Sequence, residues 1–177
     1  MATQILQSIR LAAAATTLAL GACAMMPGQG GATVQARLEP TQGNRTAGVV
    51  TFSPGGGNRV MVHARVTGLT PGQEHGFHVH EKGDCSSGDG NSAGGHFNPD
   101  GKPHGPQQAE HHAGDMPSLR ADASGVADMR FVLDDVSIGS GPRNIVGRGL
   151  IVHAQPDDYK SQPTGNAGAR LACGVIG

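Results

Sequence analysis

From residue 33 onward the chain is organised as short runs in which apolar and polar residues alternate. The clearest is Val60, Val62, Ala64 and Val66, with mostly polar residues between. A period of two sends successive side chains to opposite faces, one buried and one wet, and reads as a β-strand. Similar β-prone runs cover residues 33–38, 46–52, 59–66, 76–80, 126–132, 145–153 and 170–176. Turn clusters such as Ser53-Pro54-Gly55-Gly56-Gly57 and Thr70-Pro71-Gly72 separate them, because glycine and proline suit tight reversals. No helical periodicity of useful length follows residue 22. The pattern predicts an all-β domain, an antiparallel sandwich or barrel. Two polar stretches rich in glycine and proline, 81–114 and 154–169, break the rhythm. Loops of that length are usually functional or disordered, and these two are expected to be ordered.

The first 32 residues read differently. Residues 1–10 carry a single cation, Arg10, and residues 11–20 are largely apolar and uncharged. Ten residues fall short of the about 20 that a membrane-spanning helix needs, but they fit the apolar region of a secretory leader. Leu20-Gly21-Ala22-Cys23 closes the segment and resembles a bacterial lipobox, which implies cleavage before Cys23 and lipid on its sulfur. An ordinary leader that happens to contain a cysteine is the plainer alternative. The expected organisation is a signal peptide over 1–22, a lipidated Cys23 with a flexible tether over 23–32, and one folded domain over 33–177.

Composition narrows the address and the partners. There are three cysteines, Cys23, Cys85 and Cys173. Lipidation of Cys23 leaves the other two as an even pair in an oxidising compartment, where a disulfide can persist; two buried free thiols are the alternative. Thirteen basic and 14 acidic residues give a net charge of −1, with no basic run, and the aromatics are four Phe and one Tyr with no Trp. That excludes a nucleic-acid partner.

Six of the nine histidines and one aspartate carry the candidate chemistry: His78, His80, His96, His104, His112, His153 and Asp115. Imidazole nitrogens suit zinc and copper, whereas calcium and magnesium take oxygen ligands. Seven ligands exceed the four of one tetrahedral ion, so two neighbouring metals are expected. His78 and His80 lie two apart on a predicted strand and share a face. His96, His104 and His112 recur every eight residues, and Asp115 follows three after the last. Three nitrogens and one carboxylate complete a closed zinc site. His111 adjoins His112, so spacing alone leaves the register open.

Longer motifs go further. Gly76-Phe77-His78-Val79-His80-Glu81 and the segment from Gly165 to Gly177 (GNAGARLACGVIG) resemble the two signatures of copper/zinc superoxide dismutases. Gly94-Gly95-His96-Phe97-Asn98-Pro99 and His112-Ala113-Gly114-Asp115 are also similar to family motifs, and the likeness runs from about residue 33 to the end. Cys85 precedes His96 by eleven residues with glycine-rich filling, as in bacterial envelope members.

The resemblance implies a Greek-key antiparallel β-barrel or sandwich, immunoglobulin-like, with eight strands and two long functional loops. It implies copper bound by His78, His80, His96 and His153, and zinc bound by His96, His104, His112 and Asp115, with His96 shared. The His-x-Gly-Asp spacing then selects His112 over His111. Asp157 matches a carboxylate that links ligand histidines of both sites, fixing tautomer and ring orientation. Arg170 matches an arginine that offers fixed donors to a small anion, and a Cys85–Cys173 disulfide would pin the first loop beside it.

The implied reaction converts two superoxide anions to oxygen and hydrogen peroxide by copper redox cycling, with zinc structural. The catalytic residues are Arg170 and His96, which releases copper and takes up a proton between the two half-reactions. The implied address is a bacterial cell envelope, exported, lipid-anchored and facing the periplasm. Superoxide is then the only small-molecule partner, the membrane is reached through the lipid anchor alone, and the protein is a monomer or homodimer. Lys82, Lys102 and Lys160 are candidates for steering the anion. Pro163-Thr164 departs from the family, which often carries a cation there. The rival reading is a noncatalytic envelope copper/zinc module or carrier on the same sandwich, which would not need the full copper set together with Arg170.

Overall fold

The computed structural model describes residues 32–177; the expected leader, Cys23 and most of the tether lie outside the described residues. Among the described residues nine strands form in chain order. They are β1 (Val34–Pro40), β2 (Ala47–Pro54), β3 (Val60–Thr67), β4 (Glu74–His75), β5 (Phe77–His80), β6 (Leu119–Arg120), β7 (Ala127–Leu133), β8 (Gly149–His153) and β9 (Arg170–Val175). Seven of them make one sheet in the order β5-β8-β9-β1-β2-β3-β7, with every neighbouring pair antiparallel.

The two remaining strands link the edges of that sheet. β4 pairs with β6 and runs through Gly76 straight into β5, one edge strand. From the other side the Arg120 amide of β6 donates to the Met129 sulfur of β7, the opposite edge. The sheet therefore curls towards closure, which removes exposed strand edges. With β4 and β5 counted as one kinked strand, the total is the expected eight.

Each of the seven β-prone runs contains a strand. The run at 145–153 is shortened: its first four residues form a turn closed by Arg148 N–H donating to the Ile145 carbonyl, and the strand starts at Gly149. Ile145 is nonetheless fully buried, so its apolar character serves the core without β pairing. The two-residue strands β4 and β6 are too short to show a period.

Strand burial explains where the site can be. Along β3, Val60, Val62, Ala64 and Val66 are buried and the residues between are not. β5 and β8 differ, since every residue of both is buried. Phe77, Val79, Leu150 and Val152 belong to the main core, while His78, His80, Ile151 and His153 face the other way. What covers that outer face is the pair of long loops. Backbone bonds lay the 81–118 segment on β5: Phe97 N–H donates to the Val79 carbonyl and Val79 N–H to the Gly114 carbonyl. Ala93 and the Cys85–Cys173 bridge pack on Ile151. Within this loop the only regular element is a short 3-10 turn, Asn91–Ala93.

Cys85 in the loop and Cys173 on β9 are joined by a disulfide across 88 residues of sequence. A crosslink closing so long a loop restricts the unfolded chain, by about 4–5 kcal/mol in the chain-entropy view. Reduction followed by alkylation of both thiols should lower the melting temperature by several degrees. An unchanged melting curve with both thiols alkylated would contradict this.

Candidate metal centre

Strands supply the first donors. His78 and His80 project from one face of β5, as their spacing requires. His153 ends β8 beside them, and its Nε2 lies 3.4 Å from His80 Nε2. A register shift between Val152 and His153 brings His153 opposite Arg170 on β9, so a bulge aims the last histidine. His96 comes from the loop, tied to β5 by a bridge to His80.

Among the described residues the donors fall into two buried groups, His78, His80, His96 and His153, and His96, His104, His112 and Asp115. Within each group the four ligand atoms lie within 4.8 Å of one another. These are the residues singled out in the sequence, and His96 belongs to both groups.

Hydrogen bonds decide which nitrogen each ring turns inward. His80 Nδ1 lies 2.9 Å from the Gly94 carbonyl, and His153 Nδ1 lies 3.3 Å from the Gly168 carbonyl, leaving each Nε2 for the first group. His78 and His104 use Nε2 towards Asp157, at 2.7 and 2.8 Å, leaving each Nδ1. His96 Nδ1 faces Asp115 at 2.8 Å, and its Nε2 points to the first group. Asp157 thus contacts one histidine of each group.

The inward atoms fit metal ions. His78 Nδ1, His96 Nε2, His104 Nδ1 and His112 Nδ1 are buried with no hydrogen-bond partner. His104 Nδ1 lies 2.9 Å from Asp115 Oδ2, and His112 Nδ1 3.3 Å from Oδ1, yet neither is aligned as a hydrogen bond. Each buried polar atom left unpaired costs about 1–3 kcal/mol. Lone pairs aimed at a common point satisfy that cost only when a cation sits there. All-nitrogen donors in the first group suit copper, and three nitrogens with a carboxylate suit zinc.

Protonation favours the same use for three of the rings. Burial pushes His80 and His153 well below the ordinary imidazole range, and burial together with neighbouring His78 lowers His96 to about 4. Those rings are neutral near pH 7, as ligands must be. Burial would also lower His104, but the carboxylates of Asp115 and Asp157 outweigh it and raise it to about 9. Burial opposes ionisation of Asp115, and the surrounding His104, His112 and His96 overcome it, holding the carboxyl well below its usual range.

The three remaining histidines stand apart. His75 is a satisfied core residue, with Nδ1 on the His153 carbonyl at 2.8 Å and Nε2 accepting from Thr70 N–H. His63 pairs with Asp128 on the outer sheet face. His111 turns towards Asp135 at 3.0 Å, and His112 is the one that stands among the donors.

Arg170 sits at the edge of an open cleft of about 370 Å³ into which His80 and His153 reach. Its Nη1 and Nη2 donate to the carbonyls of Gly90 and Gly94, both at 2.7 Å. The Gly94 oxygen thus receives Arg170 and His80 together, and Gly94 adopts φ 76°, a left-handed value that favours glycine. Thr41 Oγ1 donates to the Arg170 carbonyl at 2.6 Å and accepts from Asn44. None of Lys82, Lys102 and Lys160 lines the cleft, where the charged residues are Arg170 and Asp89. Sequence reasoning missed Thr41, Asn44 and the two carbonyls, because their roles are made by backbone atoms and long-range contact. Gly165 is a further omission. Any Cβ there would collide with the Asp157 carboxylate and the His104 ring.

Comparison with known proteins agrees with this geometry. A family model described as copper/zinc superoxide dismutase matches residues 46–176. Superoxide dismutase [Cu-Zn] 2 of Brassica juncea is 46% identical over 138 residues, covering 73% of this chain and 88% of the relative. Superoxide dismutase [Cu-Zn] 2 of Aquifex aeolicus (strain VF5) is 44% identical over 122 residues, covering 66% of this chain and 71% of the relative. Among solved structures, the clock protein EA4 superposes with a TM-score of 0.74 at 42% identity, over 82% of this chain and 93% of that one. A SOD-like protein from Bacillus subtilis does so with a TM-score of 0.72 at 36% identity, over 80% and 96%.

Proposed function

Because the chain belongs to the copper/zinc superoxide dismutase family and catalyses superoxide dismutation with copper and zinc, we propose that its residues divide the work as follows. Copper would be held by His78, His80, His153 and His96. Zinc would be held by His96, His104, His112 and Asp115. The observation that carries this reading is the membership of His96 in both donor groups.

When bound, copper supplies the one-electron redox change, while zinc keeps one oxidation state and fixes the loop. Arg170 draws a superoxide anion into the cleft and orients it, since its guanidinium is already pinned by two carbonyls and keeps charge and donors for the ligand. One anion gives up an electron and leaves as oxygen. A second gains that electron and, with two protons, leaves as hydrogen peroxide. His96 Nε2 takes up one proton between the two events and delivers it, and water supplies the other. Asp157 keeps His78 and His104 in the tautomers that free their Nδ1 atoms.

Residues 1–22 are proposed as a bacterial signal peptide, with Cys23 the lipid-bearing first residue and 23–32 a tether to the envelope. The Cys85–Cys173 disulfide supports an oxidising compartment and leaves Cys23 outside that pair. Intact-mass analysis of the mature protein should find an acylated Cys23 at the N-terminus; a mature protein beginning elsewhere without acyl mass sinks this proposal.

Arg170 separates a dismutase from a metal carrier, which needs no anion site. Arg170→Glu should keep copper and zinc content near normal and lower the dismutation rate by roughly 10–100-fold. Arg170→Lys should be milder, as it keeps charge but loses the planar fork. Full activity of Arg170→Glu at full copper loading would remove the role assigned to Arg170.

A further inference from the structure

Tyr159, the only tyrosine of the chain, has a backbone φ of 55°. That left-handed conformation is unfavourable for a residue bearing a Cβ, and it persists only where surrounding contacts over-determine it. The contacts are specific. Tyr159 N–H donates to Asp157 Oδ1 at 2.7 Å. Its hydroxyl accepts from Ser118 N–H at 2.7 Å and donates to Ser118 Oγ at 3.1 Å. Its ring lies parallel to the His104 ring, with 2° between planes and 6.5 Å between centroids.

The amide contact converges with two others on one carboxylate. Asp157 Oδ1 receives both the Tyr159 amide and His104 Nε2, while Oδ2 receives His78 Nε2. Ser118 lies three residues beyond Asp115, on the segment leading to β6. The half-buried tyrosine therefore fastens the 154–169 loop to the segment that follows the zinc group. Beside it Gln162 makes a reciprocal pair with the His104 backbone: His104 N–H donates to Oε1 at 2.8 Å, and Nε2 donates to the His104 carbonyl at 2.9 Å.

We propose that Tyr159 is a positioning residue for both metal groups: it clamps Asp157 and the His104 ring so that His104 and His78 keep their Nδ1 atoms aimed inward. The inference rests on the metal assignment above and extends it to a residue that touches no metal. A tyrosine that merely packed the loop would matter to folding and not to metal retention.

The test uses the holoprotein and reads zinc release to excess chromogenic chelator at pH 7, together with the cupric electron paramagnetic resonance spectrum. Tyr159→Asn suits the left-handed backbone and keeps the amide bond to Asp157, but it removes the ring and hydroxyl. Tyr159→Phe removes the hydroxyl alone. Losing a direct outer partner of a ligand typically costs 10–100-fold in affinity, and Tyr159 stands one step further out, so Tyr159→Asn should speed zinc release about 3–10-fold. Tyr159→Phe should do so less. The copper spectrum of Tyr159→Asn should change as well, because His78 shares Asp157. Val62→Ala, which hollows the distant core, should lower the melting temperature and leave both readouts as in wild type. Wild-type release rates in both Tyr159 variants, or equal acceleration by Val62→Ala, would overturn the proposal. Wild-type protein that takes up no zinc would overturn the metal assignment itself, and this inference with it.

Discussion

The Asp157 side chain has no solvent-exposed surface, yet its two oxygens accept from His78 Nε2 at 2.7 Å and His104 Nε2 at 2.8 Å. That one carboxylate decides which nitrogen each imidazole presents to a metal. Burial alone would raise its pKa, but the hydrogen bonds from His104 and His78 outweigh burial and hold it below the usual range. An ionised Asp157 thereby couples His78 on the barrel strand to His104 on the loop. Rotating it would misalign one donor of each group at once. The glycine at position 165 and the tyrosine at 159 make sense only against this carboxylate, the one by leaving it room and the other by holding it in place.

The barrel gives that coupling something rigid to act on. Phe77 and Val79 are locked in the core while His78 and His80 point outward, so these two donors inherit the stiffness of a packed strand. His96, His104, His112 and Asp115 have no strand of their own. They come from a loop held by backbone bonds to β5 and by the disulfide to β9. Arg170 sits where these supports meet: it follows the bulge opposite His153, three residues before Cys173, and reaches the loop carbonyls of Gly90 and Gly94. Losing the disulfide should therefore be felt at Arg170 as well as in stability.

Much of this was legible in the sequence, and the reasons differ by residue. Alternation along 59–66 shows the strand because one face meets the core and the other water. The same logic overextends the 145–153 run, since Ile145 is buried from a turn and burial alone does not specify β pairing. The spacing of His96, His104, His112 and Asp115 indicates a loop site, while the choice between His111 and His112, and the roles of Asp157 and Arg170, came from motif resemblance. The carbonyl cradle of Gly90 and Gly94, the Thr41–Asn44 brace and the Tyr159 clamp leave no mark in sequence. They arise from backbone atoms and from contacts between residues up to 129 positions apart. The lysines considered for steering illustrate the converse: charge is easy to count along a chain, but its distance from the cleft is set only by the fold.

Whether two different ions share one histidine is tested by X-ray diffraction from crystals of the holoprotein, with anomalous data at the copper and zinc absorption edges. The expected result is one copper peak among His78 Nδ1, His80 Nε2, His96 Nε2 and His153 Nε2. One zinc peak is expected among His96 Nδ1, His104 Nδ1, His112 Nδ1 and Asp115, with the His96 ring between the two. A single ion serving both groups, or a copper peak outside the first, would contradict it.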